Sequence, residues 1–195
     1  MTAMSTTHKL RPYQSDLSAA IDAEWSRGAS NVLAVAPTGS GKTVLFAHKI
    51  SEAGGAAVAI AHRKELVTQM SLALAREGVR HRIIGPDATR KQCVALHLAE
   101  LGRDYHQANS PVAAAGVDTL ANHDQNDPWL KQVRLWICDE AHHNLAENKW
   151  GRACAMFPNA RGLGVTATPL RADGKGLGRH AAGLLDSMVV GPSMR

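Results

Sequence analysis

The residues best equipped for chemistry are Ala36-Pro37-Thr38-Gly39-Ser40-Gly41-Lys42-Thr43. Gly39 and Gly41 let the backbone curl until several N–H groups converge. Lys42 adds a cation at that point, and Thr43 adds a hydroxyl suited to Mg2+. An apolar run at residues 32–35 precedes the turn and a helix-like stretch follows, so a helix start would add to the pull on an anion. The turn departs from the usual pattern at its first position, Ala36, where glycine is commoner. A glycine-rich turn that merely caps a helix is the plainer alternative. The strand before it and the helix after it favour a phosphate-binding loop for a nucleotide.

A second group, Asp139-Glu140-Ala141-His142, leaves the apolar run 133–138. Hydrolysis of ATP needs one carboxylate to hold Mg2+ and another to orient and deprotonate water, and adjacent residues at a strand end can divide those tasks. Asp139 is read as the magnesium residue and Glu140 as the water-directing one, with an acidic helix start as the alternative. Thr166-Ala167-Thr168-Pro169 closes a further run. Its hydroxyls could bond to His142 or to the carboxylates, although an ordinary strand end stopped by proline explains them equally well when taken alone. His62-Arg63-Lys64 places cations at a helix start, which the helix dipole disfavours. A phosphodiester lying there would favour them, and a solvated pair with Glu65 is the alternative. Asp118-Thr119-Leu120 offers a hydroxyl in the same layer.

These groups need a scaffold that brings strand ends together. Apolar runs recur at residues 32–36, 56–61, 82–84, 112–117, 133–138 and 163–166, separated by segments of helical spacing. In residues 64–77 the spacing puts Leu66, Met70, Ala73 and Leu74 near one face, with Gly78 as a stop. Strands apolar throughout and alternating with helices predict an α/β fold, a mostly parallel central sheet with helices on both faces. Ligands of such sheets bind past the carboxyl ends of the strands, where the polar groups above fall. Residues 171–180 read as a flexible loop, and the structure of residues 183–195 is left open.

Composition narrows the class. The 195 residues are 45 % hydrophobic with only 4 % aromatic, which suits packed strands and argues against aromatic base-stacking platforms. A net charge of +5 favours a polyanionic partner. Cys93, Cys138 and Cys154 lack metal-ribbon or disulfide spacing, and Cys93 with His97, like His142-His143, lacks a full ligand set. With no signal-peptide pattern and no apolar stretch near the ~20 residues of a membrane span, the reading is a cytoplasmic protein in a reducing compartment.

Leu10-Arg11-Pro12-Tyr13-Gln14, the loop at 36–43, Asp139 to His142 and Thr166 to Pro169 occur in one order. Together they resemble the first RecA-like domain of a superfamily-two, DEAH-box helicase or translocase. The branch resembled includes phage helicases, DNA-repair translocases and restriction-enzyme motor subunits. The resemblance implies a single domain over 1–195, with a Q-motif segment (8–30), a P-loop core (31–180) and a closing segment (181–195). It implies ATP and Mg2+ as ligands, with Gln14 on the adenine edge and Arg11 and Tyr13 shaping that pocket. It assigns residues 37–43 and Lys42 to the phosphates, Thr43 and Asp139 to Mg2+, and catalysis to Lys42, Asp139, Glu140 and His142. Thr166 and Thr168, with His142, would couple the nucleotide to a nucleic-acid track held by Arg63, Lys64 and Thr119. DNA is the expected track, and a second RecA-like domain, in cis or trans, would complete the ATP site with its arginines. One set of motifs occurs in these 195 residues, so hydrolysis by this chain alone is expected to be weak. The alternatives are a P-loop switch not acting on nucleic acid and a nucleic-acid-binding module without turnover.

Overall fold

Strands apolar at every position must be covered on both faces, and that is how the six apolar runs fold. The computed structural model describes residues 10–139, 141, 147–168, 178 and 183–191. In chain order the elements are α1 (Pro12–Ser26), β1 (Asn31–Val35), α2 (Lys42–Ala53), β2 (Ala57–Ala61), α3 (Lys64–Arg76), β3 (Arg82–Ile84) and α4 (Asp87–Leu101). They continue with β4 (Val112–Gly116), α5 (Val117–Leu120), α6 (Trp129–Gln132), β5 (Leu135–Asp139), α7 (Lys149–Ala155), β6 (Arg161–Thr166) and β7 (Ser187–Val190). The strands form one sheet in the order β3-β4-β2-β5-β6-β1-β7, and every pairing is parallel. This is the expected α/β architecture.

Side chains alternate across the strands, so each strand feeds two cores. On one face Val32, Ala34, Ile137 and Leu163 meet Ile21, Phe46, Ile50, Met70 and Leu74 from α1, α2 and α3. On the other, Leu33, Val58, Ile60 and Cys138 meet Leu120, Trp129, Trp150 and Phe157. The α3 face is rotated from the spacing-based expectation. Val67, Met70, Ser71 and Leu74 are buried, whereas Leu66 and Ala73 are only partly buried. Helix α3 is gripped by α2 and α4 on its two flanks as well as by the sheet, which widens the buried arc.

Strand β7 lies in the segment left open from sequence. It pairs with β1 on the edge away from β6, and Met188 and Val190 stay exposed. Its start is pinned by Asp186, whose carboxylate accepts hydrogen bonds from the N–H groups of Ser30 and Asn31 at 3.1 and 2.8 Å. Its apolar run, residues 188–190, is short, and half of this edge strand stays exposed.

Gly162 is fixed by sterics. A Cβ there would sit 2.0 Å from the ring of Trp136, its register partner on β5. Gly162→Ala is therefore expected to lower the melting temperature by about 5 °C or more, on the scale of a 1–3 kcal/mol overpacking cost. An unchanged thermal melt would refute this packing.

Two fully buried histidines join α3, α4 and β3's approach. Ser71 Oγ lies 2.7 Å from His81 Nε2 and 3.0 Å from His97 Nε2, while His97 Nδ1 is 3.2 Å from Asp104 Oδ1. These bonds account for His97, the partner considered with Cys93 as a weak metal pair. Burial pushes the His81 imidazole down to about 4, opposed by its bond to the Val79 carbonyl and by Asp104, and assisted by His97 and His106. A histidine whose folded value lies below its unfolded 6.5 stays neutral in the fold. Its contribution to stability is present above pH 6.5 and is lost as pH falls toward 4. Denaturant midpoints between pH 7 and 4 should fall, and less steeply in His81→Gln; identical slopes would contradict the assignment.

Candidate functional site

Strand β1 delivers the chain to the loop at 36–41, and α2 begins immediately after it. Gly39 and Gly41 adopt φ of 81° and 75°, the left-handed region that their type permits. Gly41 is the residue capping α2, so the first helical N–H groups open toward the loop. The loop is tied at its base by the Ala36 N–H, which donates to the Thr166 carbonyl at 2.9 Å. Lys42 makes no hydrogen bond or ion pair among the described residues, although it stands at a helix start where the dipole repels cations. A cation held at a helix start with no partner among the described residues fits the phosphates of a nucleotide.

The start of α1 braces this loop from one side. Gln14 accepts from the Arg11 N–H at 2.9 Å through Oε1, and its Nε2 donates to the carbonyls of Ser40 (3.0 Å) and Gly41 (3.3 Å). Tyr13 donates to the same Ser40 carbonyl at 2.8 Å, and Arg11 Nη1 donates to the Tyr13 hydroxyl at 3.4 Å. The Gln14 donors are thus turned to the loop. A contact with a base edge would draw on the remaining lone pair of Oε1. A cleft of about 250 Å³ is bounded by Tyr13 and Gln14, by Pro37, Ser40, Gly41 and Lys42, and by Leu17, Leu45 and Gly191; Arg11 does not line it. Leu17 and Gly191 were not read from the sequence. Gly191 reaches the cleft because β7 carries it there, and its N–H donates to the Val35 carbonyl at 2.8 Å. Thr38 and Gly39 form the exposed tip, and Thr43 is half-buried in the first turn of α2.

Asp139 is the last residue of β5, buried and in register with Val165 of β6. The sheet order β5-β6-β1 puts it one strand removed from the loop. Thr166 lies between them, fully buried. Its hydroxyl donates to the Thr168 carbonyl (3.0 Å) and accepts from the Thr168 N–H (3.1 Å), closing a turn at the strand end. Glu140, His142 and Pro169, and all of residues 171–180 except Gly178, lie outside the described residues.

At the other end of the same edge, β2, β4 and β3 are neighbours, and the residues just past them line a second cleft of about 260 Å³. Arg63, Lys64 and Thr119 all lie in it, together with His62, Asp118, Gly85 and Thr89. Arg63 is exposed and its Nε donates to His62 Nε2 at 3.0 Å. The pair of Lys64 with Glu65 exists at 3.9 Å between two exposed side chains, a geometry of little energetic weight. Gly85 and Thr89 went unread in the sequence. The strand before them is three residues long, yet the strand-end rule that marked Arg63 applies to them too. Thr89 is 3 % exposed.

A parallel sheet with a glycine-rich loop after β1, an acidic end to β5 and a cationic edge past β2 to β4 defines a RecA-like P-loop domain. The chain matches, over residues 7–171, the family described as type III restriction enzyme, res subunit, and it belongs to that family. It is 35 % identical over 186 residues to irc3 of Schizosaccharomyces pombe, named as a mitochondrial ATP-dependent helicase, with 87 % of this chain and 27 % of that protein covered. It is 31 % identical to Rad25 of Halobacterium salinarum, named as a DNA 3'-5' helicase, with 85 % and 24 % covered. The chain therefore spans about a quarter of the length of these relatives. The UvsW helicase of bacteriophage T4 superposes with a TM-score of 0.64 at 15 % identity, over 93 % of this chain and 60 % of that one. The type ISP restriction-modification enzyme LlaGI, solved with a DNA substrate mimic, gives 0.62 at 17 % identity, over 92 % and 19 %. This is the first RecA-like domain of the superfamily-two helicase type.

Two substitutions test the brace. A Cβ at Gly41 would lie 2.5 Å from Gln14 Nε2 on a backbone with φ of 75°. Gly41→Ala should lower ATP-analogue affinity at least tenfold in a calorimetric titration. Gln14→Glu sets a carboxylate oxygen against two carbonyls and should weaken binding more than Gln14→Ala does. Equal affinities for Gln14→Glu and the unaltered chain would rule out the brace.

Proposed function

We propose that this domain uses ATP to drive movement along DNA, working with a second RecA-like domain. The observation that carries the reading is the sharing of one sheet edge by two anion-suited clefts, with the Asp139 strand between them. Lys42 and the amides of residues 39–43 bind the phosphates. The Thr43 hydroxyl and the Asp139 carboxylate, through water, would hold Mg2+, which supplies charge neutralisation at the terminal phosphates. Glu140 orients and deprotonates the attacking water. His142, Thr166 and Thr168 transmit the state of that site along the edge, and Gln14, Arg11 and Tyr13 hold the adenine end.

Arg63, Lys64 and Thr119 clamp a sugar-phosphate backbone without reading sequence, as cations and hydroxyls at helix starts do. DNA is favoured over RNA by the names of Rad25 and of the LlaGI complex, while the net charge of +5 suits either polyanion. The second domain supplies arginines across the cleft, so hydrolysis by this chain alone is slow; a trans arginine is worth ~10³ to 10⁵ in related phosphoryl transfer. Three free, buried cysteines fit a reducing, cytoplasmic-type compartment. No helix among the described residues is long and apolar enough to cross a membrane.

The test is Mg2+-dependent ATP hydrolysis with and without single-stranded DNA, duplex DNA and RNA, using Lys42→Ala and Glu140→Gln as controls. Turnover is expected to be low, stimulated most by DNA and abolished in both variants. Turnover indifferent to every polymer would favour a P-loop switch instead. For DNA binding, Arg63→Ala should lower the slope of log affinity against log salt by about 1, the signature of one lost phosphate contact.

A further inference from the structure

Asp118 is an unexpected neighbour for a phosphate track. Its side chain is 69 % exposed and lines the same cleft as Arg63, Lys64 and Thr119. A bare carboxylate there would repel a phosphodiester as strongly as one cation attracts it. Lys149 answers it from across the fold, with Nζ 2.8 Å from Asp118 Oδ1.

The position of Lys149 is built rather than incidental. It is the first residue of α7, whose start is fixed by Asn148: the side-chain oxygen accepts from the N–H groups of Trp150 at 2.9 Å and Gly151 at 3.2 Å. A lysine in a first turn opposes the helix dipole, so only a partner off the helix favours it there. Trp150, the next residue, is buried and lies 6.1 Å from the ring of His62. Helix α7 thus touches the residue before Arg63 and the residue before Thr119. It also follows Asp139 by only ten residues along the chain.

We infer that Lys149 is a positioning residue of the nucleic-acid edge, whose ammonium neutralises Asp118 so that a phosphodiester can pass over Thr119. This rests on the reading of that cleft as a nucleic-acid site. The ion pair is solvent-exposed and contributes little to folding, so its removal leaves a folded protein to measure.

The experiment is a fluorescence-anisotropy titration of a labelled single-stranded DNA oligonucleotide and its duplex at three salt concentrations. The proteins are the unaltered chain, Lys149→Ala, Asp118→Asn and the double variant, each checked by thermal melt. Lys149→Ala should bind about fivefold more weakly at low salt, because it uncovers the Asp118 charge. Asp118→Asn should bind at least as tightly as the unaltered chain, and the double variant should match Asp118→Asn with the same salt slope. A double variant as weak as Lys149→Ala, with a slope reduced by about 1, would make Lys149 a direct phosphate contact and overturn the inference. Unaltered affinity in Lys149→Ala would overturn it while leaving the cleft intact as a DNA site. No DNA binding by the unaltered chain would overturn both.

Discussion

Everything at the functional edge depends on one constraint: all seven strands among the described residues run parallel, so each of them ends at the same side of the sheet. Parallel strands require crossovers, and here β1, β2, β3 and β4 are each followed by a helix start. Helix starts expose unpaired amides and a positive dipole. A sheet of this kind therefore concentrates sites for anions along one edge before any side chain is chosen. The side chains then divide that edge: glycines and Lys42 after β1, a carboxylate at the end of β5, cations and hydroxyls after β2 and β4.

The division is held together by backbone bonds rather than by side-chain charges. The Ala36 N–H reaches the Thr166 carbonyl, joining the nucleotide loop to the strand beside Asp139. The Gly191 N–H reaches the Val35 carbonyl, so the last strand closes the cleft from the other side. Gln14 and Tyr13 add a third tie by sharing the Ser40 carbonyl. A displacement of the loop by a bound nucleotide would be felt by α1, β6 and β7 together. This gives the Thr166 turn a physical connection to the loop at 36–41 that does not rely on any long-range charge effect.

Much of this was legible because apolar runs and strand ends are local signals. The runs at 32–36, 82–84 and 163–166 sit within a residue or two of β1, β3 and β6, and the run at 133–138 became β5 shifted forward, so that Asp139 ends the strand rather than following it. What stayed hidden is tertiary. Gln14 meets the loop across 26 residues, and Ser71 meets His97 across 26 more. Neither pairing leaves a periodic trace. Strand β7 escaped because half of it faces solvent, and Thr89 because it lies inside α4, past the first residues after β3. The α3 face was misplaced by a rotation because three neighbours, not one, bury that helix.

The central claim is that the loop at 36–43 and the edge past β2 and β4 are two separate anion sites on one frame. Backbone hydrogen exchange measured with a Mg2+–ATP analogue and with a DNA oligonucleotide, singly and together, tests it directly. The account predicts slower exchange in residues 39–45 and 11–17 with the nucleotide alone, and in residues 62–66, 85–90 and 116–120 with the oligonucleotide alone. Protection of the same residues by both ligands, or none at 39–45 with the nucleotide, would contradict it.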